Sequence, residues 1–131
     1  MKQNRENPFF ETYRTPFGTP PFDQIETEQY EPAFDEGIWQ LDEEVRAIAD
    51  NTELPTFENT IIALERSGKL LDKVISAFFN VLNAEADDEM MDISQRVSPK
   101  LSESSNNIYL NEQLFARVKS CLLYTSDAAD E

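Results

Sequence analysis

The chain has no histidine, one cysteine and three glycines in 131 residues, and its 11 Lys and Arg are outnumbered by 26 Asp and Glu. Each shortage removes a class of chemistry. Without histidine there is no Ser-His-Asp or Cys-His nucleophile system, no His-Glu-x-x-His zinc site and almost no mixed zinc site. A single cysteine makes no internal disulfide, so nothing points to an oxidising compartment. Three glycines leave no Gly-rich phosphate loop. The formal net charge of −15 opposes non-specific binding to nucleic acid or to an anionic membrane. No apolar run is long enough for a signal peptide or a membrane span, so the chain is expected to be cytoplasmic. What remains is 40% hydrophobic and 11% aromatic, a composition that builds a core despite the charge.

Pro8, Pro16, Pro20 and Pro21, with Gly18, crowd the N-terminal part, interleaved with Phe9, Phe10, Tyr13, Phe17 and Phe22. Proline fixes φ and biases its predecessor to extended conformations, so this is expected to be an irregular arm strapped to its own domain or docked on another protein. Helical spacing then takes over. Tyr30, Phe34, Ile38, Leu41, Val45 and Ile48 form one stripe of a helix capped near Thr27 and ending about Asp50. Trp39 points away from that stripe, as an outside contact or a half-exposed aromatic. Thr56 caps a second helix, predicted as one long helix to about Glu85, loosened at most at Gly68, through Phe57, Ile61, Leu64, Leu71, Ile75, Phe79 and Leu82. Leu70, Val74, Ala77 and Val81 add a second apolar strip, which four helices of this length cover poorly. A third helix from Asp87 carries Met90, Ile93, Val97, Leu101, Ser104 and Ile108, with Pro99 expected to kink it or end it early. Asn111 caps a fourth, containing Leu114, Phe115 and Val118. No strand pattern or repeat emerges, and the class is all-α with up-down packing.

Carboxylates occur in groups: Asp35 and Glu36; Asp42, Glu43 and Glu44; Asp87, Asp88 and Glu89. Acid/base catalysis needs carboxyls in a cleft whose environments separate their pKa values, which adjacency on a helix surface does not provide. The last group is explained as an N-cap and first turn. No EF-hand spacing occurs. Glu65-Arg66 and Lys69, Asp72 and Lys73 read as surface pairing, Ser67 precedes no base, and Cys121 has no histidine to activate it. No catalytic or metal-binding residue is expected in this chain.

The most specific stretch is Pro55-Thr-Phe-Glu-Asn-Thr-Ile-Ile-Ala-Leu-Glu-Arg-Ser-Gly-Lys-Leu-Leu-Asp-Lys-Val74, continuing through Phe78-Phe-Asn-Val-Leu-Asn-Ala-Glu85. With Thr15–Ile25 and Ser105–Lys119 it resembles the N-terminal region of the thimet oligopeptidase family of zinc metallopeptidases, in its peptidyl-dipeptidase branch beside oligopeptidase A. The resemblance covers about residues 7 to 119. It implies a large, mostly helical, monomeric hydrolase around a deep channel, releasing C-terminal dipeptides from short peptides. Its zinc would be held by a His-Glu-x-x-His helix and a downstream glutamate. Those residues would lie beyond the end of this chain, so the resemblance carries over no catalytic residue or zinc ligand. It carries over the helices that open the channel wall, and no zinc is expected to bind here. It also supplies a partner for the face of Leu70, Val74, Phe78 and Val81, namely the missing C-terminal part of the same chain. An isolated piece is therefore expected to aggregate or stay molten.

Cys121–Glu131 departs abruptly from the family and resembles a translated sequencing-library adapter joined in frame near Ser120. The organisation expected is an extended arm over 1–26, an incomplete helical domain over 27–120, and a non-native tail over 121–131. The alternative to a peptidase fragment is a self-sufficient acidic helical module that binds another protein.

Overall fold

Helix formation begins at a reciprocal turn in which the Gln29 side chain accepts from the Glu26 backbone N–H at 2.8 Å. Thr27, expected to be the cap, is instead the first residue of a 3-10 turn, Thr27–Gln29, that leads into α1, Tyr30–Ala49. This computed structural model describes residues 7–10, 13, 20–21, 25–84 and 87–130. Pro16, Phe17, Gly18 and Phe22 of the expected arm lie outside the described residues. After α1 come a π-helical segment, Phe57–Ile62, and then α2, Ala63–Arg66. α3 is Lys69–Ala84, α4 is Asp88–Tyr109 and α5 is Glu112–Asp130. No strand occurs among the described residues, and the fold is all-α. No helix among them is long and apolar enough to cross a membrane.

The predicted caps at Thr56, Asp87 and Asn111 are all present. Their side chains accept from the backbone N–H groups of Asn59, Met90 and Leu114 at 3.0, 2.8 and 3.0 Å. Each satisfies a donor that the first helical turn leaves without a partner.

The single long helix expected across Gly68 is two helices. Ser67 is extended, with φ −75° and ψ 154°, and Gly68 turns back with φ 76°. That left-handed conformation costs a glycine little and a side chain much. The apolar phase persists across the break because the two pieces serve different cores: Ala63 and Leu64 pack on one cluster, Leu71 and Val74 on another. Phe57, predicted on the stripe, is 53% exposed.

Pro99 does not end α4, which continues to Tyr109. The residue is exposed, so the backbone bond it cannot donate is lost on the solvent side, where water replaces it.

α1 is the central helix. Phe34 meets Phe78 edge-on at 5.2 Å and Gly37 lies against Leu71, so α3 runs antiparallel to it. Glu31 meets Arg96 and Asp42 meets Ser104, so α4 runs parallel. Phe9, from a short 3-10 turn at Pro8–Phe10, is buried against Tyr30 and joins the same aromatic cluster. Buried Asn7 fastens this part of the arm: its side-chain amide donates to the Gln29 carbonyl at 3.0 Å and accepts from the Phe9 N–H at 3.1 Å. Lys73 donates to the Phe9 carbonyl and sits 4.1 Å over the Tyr13 ring.

The strip reserved for a missing partner is therefore corrected. Val74 and Phe78 are fully buried by their own chain, under α1 and the arm, while Leu70 and Val81 are half-buried. The arm supplies cover that the count of helices did not include, and the ground for expecting a molten fragment goes with it.

Candidate functional site

The seam between α1 and α4 brings together two of the acids considered as chemistry, Asp35 and Asp42, beside Glu31. Three shallow cavities lie along it. One of about 380 Å³ is lined at its edge by Glu31, Asp35 and Arg96; one of about 240 Å³ by Asp35, Asp42, Lys100 and Glu103; and one of about 270 Å³ by Asp42, Arg46 and Asn107. The spacing explains the gathering: on parallel neighbouring helices, residues three to four apart repeat along one edge and face the same edge of the partner.

Glu31, Asp35 and Asp42 each have a partner on α4. Arg96 Nη2 lies 3.1 Å from Glu31 Oε2, and Lys100 Nζ lies 2.8 Å from Asp35 Oδ1 and 3.7 Å from Glu31 Oε1. Ser104 Oγ donates to Asp42 Oδ1 at 3.0 Å. Hydrogen bonding from Arg96, supported by Lys100, holds the Glu31 carboxyl below the ordinary glutamate range against the opposing effect of its partial burial. The hydrogen bond to Asp35 raises Lys100. A general acid at neutral pH needs a carboxyl shifted upward. Glu31 is shifted the other way and stays ionised, so the seam is built for ion pairing between helices.

The remaining candidates are dispersed. Glu36 accepts from the Gln40 side chain, Glu43 from Arg46, and Glu44 from the Gly68 N–H. Asp87 is the α4 cap, with Asp88 and Glu89 exposed in the first turn. Trp39 is exposed on the outer side of α1. Cys121 is buried in α5. No three His, Cys, Asp or Glu side chains among the described residues are grouped to hold a metal ion.

A second polar centre escaped the sequence reading. Arg117, 8% exposed on α5, donates from Nη1 to the carbonyls of Asn51 and Glu53 at 2.7 and 2.8 Å, and from Nη2 to Asn59 Oδ1 at 3.2 Å. Asn59 Oδ1 also accepts from the Thr56 N–H and the Thr60 hydroxyl, each at 2.8 Å, while its amide donates to the Leu54 carbonyl. The signal was available. Leu114, Arg117 and Cys121 share one helical phase and are all buried, and a charge inside an apolar stripe marks a buried clamp.

No protein-family model matches the chain. It is similar to a dipeptidyl carboxypeptidase of Escherichia coli strain K12, 48% identical over 112 residues, and to one of Salmonella typhimurium strain LT2, 44% identical over 112 residues. Each match takes in 86% of this chain and 16% of the relative. The chain is homologous to these proteins and spans about one sixth of their length.

Proposed function

We propose that this chain is the N-terminal part of a zinc-dependent peptidyl-dipeptidase, whose complete form releases dipeptides from the C-terminal end of short peptides. The observation that carries this reading is 48% identity across 86% of the chain to a protein of which it spans 16%. Its helices would form part of the wall around the peptide channel, and the chemistry would belong to residues further along the parent. Zinc does not fit the residues present here. The chain has no histidine, and among the described residues no suitable group of His, Cys, Asp or Glu exists. Residues 121–131 are, on this reading, foreign to the parent. That α5 continues through them says nothing of their origin, since a segment with leucines and alanines extends a helix whatever its source.

The burial of Val74 and Phe78 favours one alternative, a self-sufficient acidic helical module, because the core closes without further helices. Genomic sequence beyond codon 120 separates the two. A reading frame that continues to a His-Glu-x-x-His motif supports the peptidase, and a native stop codon there rejects it. The complete protein is then expected to release C-terminal dipeptides, to lose that activity to a chelator and to regain it with zinc. The 131-residue chain is expected to have none.

A further inference from the structure

The loop between α1 and the π-helical segment combines a fixed backbone with an unburied apolar tip. Arg117 grips its Asn51 and Glu53 carbonyls, Asn59 grips the Leu54 carbonyl and the Thr56 N–H, and the Glu53 N–H donates to Asn51 Oδ1 at 2.9 Å. Five bonds in six residues hold the backbone. Yet Leu54 is 85% exposed, and Phe57, three residues on, is 53% exposed. A mobile loop could turn such a leucine back onto the protein; this one cannot without breaking the hydrogen bonds that hold it, two of them from the buried Arg117 guanidinium.

The geometry points to a docking knuckle: Leu54 and Phe57 insert into an apolar socket on a later segment of the same polypeptide. This rests on the reading that the chain opens a longer peptidase. The area is far too small for a second copy, since stable interfaces between separate chains bury about 1,200–2,000 Å². Two copies, each with a net charge of −15, also repel one another. A tethered segment needs much less area, because linkage raises its effective concentration, and the relatives extend well beyond the matched stretch. Exposed Glu53 and Glu58 flank the two apolar side chains, so the socket has a basic rim. A fixed backbone suits such a contact, because little conformational freedom is lost when it forms.

The test is thiol labelling of Leu54→Cys by a maleimide, read by mass spectrometry on the peptide that carries residue 54. It is carried out on the complete protein and on the 131-residue chain. Labelling is expected to be at least about tenfold slower in the complete protein, because reactivity follows access to the thiol. Equal rates in the two proteins overturn the knuckle. Because the genomic frame is read first, a failure of the peptidase reading appears as a stop codon and not as a labelling rate.

Discussion

The two ends of α1 are held by different physics. At its N-terminal end Tyr30 and Phe34 enter an aromatic cluster with Phe9 and Phe78, whose rings meet tilted or edge-on at 5.2–5.5 Å. Apolar area, together with the geometry of ring quadrupoles, holds that end. At the C-terminal end Val45, Ile48 and Ala49 meet Leu114 in a smaller aliphatic cluster. Beside it Arg117 ties α5 to three carbonyl oxygens of the Asn51–Asn59 region. A large apolar core tolerates a simple surface around it. A small one is supplemented by hydrogen bonds, which offset the cost of burying polar groups such as the Arg117 guanidinium.

The comparison is broken most severely at the aromatic end. Phe78→Ala is expected to cost about 3–5 kcal/mol, read as a fall in the denaturant midpoint at constant slope; a loss equal to that of an exposed aromatic such as Trp39 would show that the cluster is not the main support. At the other end Arg117→Ala is expected to cost about 1.5–3 kcal/mol, and Arg117→Lys not to restore it, because an ammonium lacks the fork that reaches several carbonyls at once. Full recovery with lysine would mean that charge alone matters there.

Between the two ends, Gly37→Ala sharpens the picture. A Cβ at Gly37 would meet Leu71 Cα at 2.9 Å, so α1 and α3 must move apart, at a cost of about 1–3 kcal/mol; a midpoint unchanged by this substitution would show that the crossing can spread freely.

The smallest effect is expected on the α1–α4 seam. Glu31 is held below its ordinary pKa in the folded protein, so its ionised form stabilises the fold at neutral pH. That contribution is lost as pH falls through the lowered folded-state value. Glu31→Gln is expected to cost no more than about 1 kcal/mol near neutrality, since the pair is exposed. The difference from the unsubstituted chain should close in acid, once pH has fallen through that lowered value, and a gap that persists there would assign it to packing.

Periodicity was the reliable guide wherever one face meets one core. The α4 stripe of Met90, Ile93, Val97 and Ser104 is buried as spacing predicts, because a helix on a surface must turn its apolar side inward. The same spacing misread Gly68, since two helices can share a phase while packing on different clusters. It allowed Pro99 to end α4 early, whereas the helix runs on to Tyr109, because a lost backbone bond is cheap when it faces water. Two strips on α3 promised an exposed face. The cover came from Phe9, sixty-nine positions before Phe78, and no local pattern announces such a contact.

By itself the sequence determined the helical class, the caps at Thr56, Asp87 and Asn111, most of the buried stripes and the likeness to a longer peptidase. These follow from short-range rules: 3.6 residues per turn, unsatisfied donors at helix starts, and the letters of a long ungapped stretch. Only the tertiary structure decided that the arm closes the aromatic core, that Arg117 and Asn59 fix a loop, and that Glu31, Asp35 and Asp42 find partners across the α1–α4 seam. Those outcomes depend on which surfaces meet across long separations in the chain, where the free energy of burying a ring or satisfying a guanidinium exceeds any local preference.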